Sequence, residues 1–95
     1  MPEMRFQIEW PDGSQETCYS PSLVMKKYLD PEQSYPLADF VERSRTALQI
    51  GSERVQAKFG FPCSLAMNQI RAIETRASQF SQQPDSAVKV LKFIE

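Results

Sequence analysis

The stretch Met4-Arg5-Phe6-Gln7-Ile8-Glu9-Trp10 alternates without a break. Met4, Phe6, Ile8 and Trp10 fall on one side of an extended chain, and Arg5, Gln7 and Glu9 fall on the other. A period of two marks a strand with one face in a core and one in water. Pro11-Asp12-Gly13-Ser14 follows. Proline presets the backbone for a turn and glycine tolerates positive φ, so the chain reverses here. Gln15-Glu16-Thr17-Cys18-Tyr19 then reads as the returning strand. The first expectation is a β-hairpin over roughly residues 3–19.

Outward from the hairpin, Ser20-Pro21-Ser22 has the residue types of a helix start. Ser20 can cap free N–H groups and Pro21 suits the first helical position. A short helix over 21–29 is expected, with Lys26 and Lys27 near its C-terminal end. Leu23-Val24-Met25 is also compatible with a third strand. Asp30-Pro31-Glu32-Gln33 reads as a loop. Ser34-Tyr35-Pro36 then opens the main helix, with Ser34 as cap and Asp39 near the positive end of the dipole. Leu37, Phe40, Val41, Ser44, Ala47, Leu48, Gly51 and Val55 recur at three- and four-residue steps and form one apolar stripe. Gly51 within that stripe predicts close approach of another element, and Gly60 predicts a left-handed stop. A second helix is expected from about Ser64 to Phe80, with Met67, Ile70, Ile73, Ala77 and Phe80 inward. After the polar connector Ser81–Ser86, residues 87–94 are rich in strand formers.

The order β-β-α-α-α-β predicts an α+β fold in one domain over residues 1–95. A small antiparallel or mixed sheet, made of the N-terminal hairpin and the C-terminal strand, is covered on one face by two main helices and one short helix. A chain of 95 residues supports only a thin core, burying roughly 60–65% of the surface its unfolded form exposes.

Composition narrows the chemistry. The 41% hydrophobic and 24% charged content is that of a globular chain. Eleven basic and 12 acidic residues give a net charge of −1, without the cationic excess that binds nucleic acid. Histidine is absent, which removes Ser-His-Asp and Cys-His systems and the usual nitrogen ligands of zinc. The two cysteines, Cys18 and Cys63, have no zinc or Cys-x-x-Cys spacing. No apolar signal segment follows Met1 and no apolar run is long enough to span a membrane, so the expected location is the cytoplasm. No cofactor is expected.

Six residues remain as candidates. Cys63 precedes a helix, where free N–H groups favour a thiolate; the plainer reading is a small apolar residue packing a corner. Cys18 carries the same two readings. Tyr19, Ser20 and the Ser64 helix start offer hydroxyls and N–H groups to a small anion, or simply cap helices. Trp10 is core, with one side available to a partner in so thin a domain. The carboxylates Asp12, Glu16, Asp30 and Glu32 show no calcium-loop spacing.

Several segments together resemble a known family: Trp10-Pro11-Asp12-Gly13-Ser14, Cys18-Tyr19-Ser20-Pro21-Ser22, Ser34-Tyr35-Pro36-Leu37-Ala38-Asp39-Phe40, Arg43-Ser44-Arg45-Thr46-Ala47-Leu48 and Ser52-Glu53-Arg54-Val55-Gln56-Ala57-Lys58-Phe59-Gly60-Phe61. The family is that of short bacterial proteins named for the nitrogen starvation response, encoded in gene clusters with a nitrilase. The resemblance covers residues 1 to about 80 and brings no catalytic residue with it. It implies a cytosolic accessory protein linked to nitrogen or nitrile metabolism. The leading expectation is a non-catalytic interaction domain whose partner is a second copy or an operon-encoded enzyme, with neither nucleic acid nor membrane as partner. The alternatives are a thiol-dependent small enzyme or redox sensor using Cys63 or Cys18, and a sensor of small anionic metabolites.

Overall fold

A computed structural model describes residues 3–61, 63–80, 82–83 and 85–95. Strand β1 (Met4–Glu9) and strand β2 (Gln15–Ser20) form the expected hairpin. Its turn closes on backbone bonds between Trp10 and Ser14 and between Gly13 and Trp10, with Gly13 at φ 88°. Asp12 Oδ1 accepts from both the N–H and the hydroxyl of Ser14, at 2.9 and 2.6 Å. Met4, Phe6, Ile8 and Trp10 are all essentially inaccessible, as the alternation requires.

Strand β4 (Ala87–Ile94) pairs antiparallel with β1. Strand β3 (Gln33–Pro36) pairs antiparallel with β4, so the sheet order is β2-β1-β4-β3. A bulge between Gln7 and Ile8 leaves Leu91 as the extra residue on β4. Upstream of it Val88 and Val90 face the core; downstream Phe93, opposite Phe6, takes the inward place. An extra residue shifts the inward parity by one, and it keeps two apolar segments of opposite phase on one face.

Helix α1 (Leu37–Phe59) and helix α2 (Ser64–Ser78) cover that face. The fold is α+β, with a four-stranded antiparallel sheet. α1 buries Phe40, Ser44, Ala47, Leu48, Gly51 and Ser52, close to the expected stripe. It ends at Gly60, with φ 88° and its N–H donated to Gln56 O. Gly51 lies against Pro21: a Cβ built there would sit 2.9 Å from the ring Cγ.

Three local expectations are corrected. Ser34-Tyr35-Pro36 is strand rather than helix start, because its partners on β4 lie opposite and α1 begins only at Leu37, whose N–H donates to Ser86 O. Residues 21–29 do hold the short helix rather than a strand, as a 3₁₀ helix over Leu23–Lys27, but it is capped by Ser22. Ser20 does not cap it; its hydroxyl donates to Ser22 O at 2.7 Å. α2 turns Ala66, Ile70, Ile73 and Ala77 inward, while Met67 is exposed. Phe80, beyond the helix end, is buried as expected.

Both sheet edges are obstructed. The Tyr19 N–H on the β2 edge donates to Gln69 Oε1 of α2 at 2.9 Å. At the other edge β3 is four residues long and ends in a proline. Short, proline-bearing or covered edges resist added strands.

Candidate functional site: the α1–α2 corner

α1 has 23 residues and spans about 34 Å at 1.5 Å per residue. The strands beneath it, six residues in β1 and β2 and eight in β4, span about 20–27 Å. The helix therefore overhangs the sheet. From Glu53 to Phe59 only Val55 is partly buried. Of α2's first turn only Ala66 is buried. The corner is fixed by Ser52, whose buried hydroxyl oxygen accepts the Cys63 N–H at 3.1 Å.

The overhang carries most of the large exposed apolar side chains. Phe59 is 55% accessible, Phe61 65%, Leu65 59% and Met67 42%. The Lys58 ammonium stands 5.7 Å above the Phe59 ring. A hollow of about 380 Å³ lies alongside, lined by Gln49, Ser52, Glu53, Gln56 and Met67. Exposed apolar side chains are ordinary singly and informative when they gather in one patch.

The residues singled out in the sequence are dispersed. Trp10 is 1% accessible, stacked on Phe80 at 6.0 Å and edge-on to Phe40 at 5.9 Å. Its indole N–H donates to Glu16 at 2.9 Å. The expectation of a free side of Trp10 for a partner is thereby overturned: Phe40, Phe80 and the Arg76 guanidinium cover it. Cys18 is wholly inside, opposite Phe6. Burial, and then the nearby Glu16 carboxylate, push its thiol far above the ordinary range, so it stays protonated. The Ser20 hydroxyl is consumed within its own turn; it also accepts from Ser22 N–H at 3.3 Å. Ser64 is exposed on the first turn of α2.

Cys63 and Tyr19 do come together. Cys63 is half-buried at the start of α2 as a free thiol. Tyr19 is pushed up to about 12 by burial, then by the Cys63 thiol and the Glu3 carboxylate that face its hydroxyl. The Arg5 guanidinium lies over its ring at 5.8 Å. A phenol held neutral beside the thiol is no base for it at neutral pH. Among the described residues no three metal-binding side chains cluster.

A second hollow, about 580 Å³, runs between the first half of α1 and the end of α2. Leu37, Ala38, Val41, Ala77 and Phe80 wall it, and Glu42 and Arg45 close one end. Arg45 donates to Glu42 at 2.8 Å and its Nε lies 3.9 Å from Glu74. Two carboxylates against one guanidinium leave that end without a net positive charge to draw an anion.

The sequence did not single out Phe59, Phe61 and Leu65. A signal was present: two phenylalanines flank the helix-stopping Gly60, outside the reach of strands this short, and Leu65 lies off the 66-70-73-77 stripe.

These features define a small α+β protein with an obstructed four-stranded sheet, a helical layer on one face, and an overhanging apolar helix corner. The chain belongs to the family described as nitrogen starvation-induced protein NitG, whose model matches residues 5–93. The match runs through β4, beyond the residue-80 limit of the resemblance noted above. No curated protein and no solved structure matches the chain. Among the described residues no helix is long and apolar enough to cross a membrane.

Proposed function

We propose that this chain is a non-catalytic accessory domain that acts in the nitrogen starvation response by holding another protein surface at its α1–α2 corner. The observation that carries the reading is the cluster of Phe59, Phe61, Leu65 and Met67, exposed on an overhang that the chain's own sheet does not reach. The family's tie to nitrogen starvation supplies the setting. The resemblance to proteins encoded beside a nitrilase favours a cytoplasmic role next to an enzyme of nitrogen or nitrile metabolism. Consistent with a binding role, the chain has no histidine, Cys18 is inaccessible, and the Ser20 hydroxyl is engaged.

The test is growth under nitrogen limitation of a strain lacking its own copy, complemented by variants. Phe61→Asp with Leu65→Asp should fail to complement at wild-type protein levels, and Cys63→Ser should complement. The reverse pattern would sink this reading and favour the thiol reading, which Cys63 supports through its half-buried place at a helix start.

A further inference from the structure

We infer that the partner at the corner is a second copy of this chain, each copy setting its Phe59–Lys58 knob into the other's Met67–Glu53 hollow about a two-fold axis. This rests on the reading of the corner as a binding surface. Three observations favour a copy of the same chain over a different protein.

The first is that knob and hollow occur on one surface. Phe59 projects from the end of α1, and the hollow lined by Met67, Ser52 and Glu53 lies beside it. A two-fold contact needs the same patch to carry both halves, so that residue i meets j and j meets i.

The second is charge. Lys58 leans over the Phe59 ring and travels with it. Glu53 borders the hollow. Neither makes an ion pair within the chain among the described residues. Insertion of Phe59 into the neighbouring hollow brings each Lys58 to the other copy's Glu53, two opposite-charge pairs per contact. A patch rimmed by one sign would instead repel its own copy.

The third is area. Large apolar side chains carry about 200 Å² each when fully exposed, so the accessible fractions of Phe59, Phe61, Leu65 and Met67 leave roughly 400 Å² of apolar surface at the corner. A stable interface takes about 800 Å² from each partner, a little over half of it apolar. The corner supplies that share from side chains already in place. The obstructed sheet edges make strand addition a poor competing route.

Sedimentation velocity and light scattering on the full chain, from about 1 to about 500 µM, test the pairing. The wild type should pass from monomer to dimer within that range. Phe61→Asp or Leu65→Asp should weaken the dimer at least about 30-fold, with Trp10 fluorescence unchanged and the melting temperature unchanged at concentrations where the wild type is monomeric. Lys58→Glu should also weaken it, and Glu53→Lys added to Lys58→Glu should restore it. The charge pair keeps the test sharp even if an aspartate variant folds poorly. A wild type that stays monomeric to the top of the range overturns the pairing, as does a dimer indifferent to all of these changes. If a monomeric wild type still loses complementation through Phe61→Asp and Leu65→Asp, the corner binds something else and the accessory reading survives.

Discussion

Gly51→Ala should destabilise this protein, against the usual behaviour of a helical glycine. In an unhindered helix interior the change gains about 1 kcal/mol. Here the new Cβ would lie 2.9 Å from Pro21 Cγ and 3.4 Å from Ser22 Cβ, where favourable carbon contacts begin at about 3.5 Å. The obstacle is a ring closed on its own backbone, and its neighbours are pinned. The Ser20 hydroxyl is bound to Ser22 O, and the Ser22 hydroxyl oxygen accepts from Val24 N–H and the Arg54 guanidinium, each at 3.2 Å. Overpacking of this kind costs about 1–3 kcal/mol, which offsets the helical gain and leaves a net loss of about 1 kcal/mol. For a chain of this size that lowers the melting temperature by about 4–8 °C. Urea unfolding followed through Trp10, the single tryptophan, measures it. Pro21→Ala removes the ring carbons, so Gly51→Ala in that background should stabilise, and the cycle should show a coupling of about 1–2 kcal/mol. A Gly51→Ala protein more stable than wild type, or additive effects of the two changes, would refute the argument.

Two further outcomes follow from titratable groups. The Ser14 hydroxyl and N–H, and then the Arg76 guanidinium, hold the Asp12 carboxyl below the usual carboxylate range. A depressed folded pKa contributes stability that is complete above the unfolded value, about 3.9, and is lost as pH falls through the folded one. Unfolding curves below about pH 4 should therefore be steeper in pH for wild type than for Asp12→Asn, and parallel curves would remove the turn as a source of acid lability. For the thiols, a disulfide reagent should label one cysteine in the native protein, Cys63, with Cys18 reacting only on unfolding; native labelling of Cys18 would contradict its burial.

The first strand and the stripe of α1 are legible because each has its own period over six residues or more, and the terminal strand because 87–94 is rich in strand formers, although the bulge at Leu91 breaks its alternation. Ser34-Tyr35-Pro36 was misread because its cap and proline are sound local signals for a helix start one turn too early. What overrides them is remote: Val88 and Lys89, some fifty residues on, offer the ladder that makes it a strand. Tyr35 shows the same dependence, its hydroxyl oxygen accepting the Asp30 N–H at 2.8 Å and its ring lying 5.0 Å from the Arg43 guanidinium. Ser20 and Pro21 were assigned to a helix; the proline ring instead fills the notch at Gly51. Trp10 was correctly placed on the inward face and Phe80 was expected to be buried, but that the second covers the first is a contact between residues 70 apart that no local pattern records. Of the apolar corner, only Leu65, off the stripe of α2, carries a periodic sign; the exposure of Phe59 and Phe61 depends on where the sheet stops, which no helical period records.

Strand β4 comes after every other strand in chain order and lies inside the sheet, between β1 and β3. During synthesis β1 and β3 therefore have no shared neighbour until residues 87–94 leave the ribosome, and the layer of α1 and α2 lies over a sheet without its central strand. Productive folding is timed to the arrival of that segment. A nascent chain halted before it would be a natural client for chaperones and proteases.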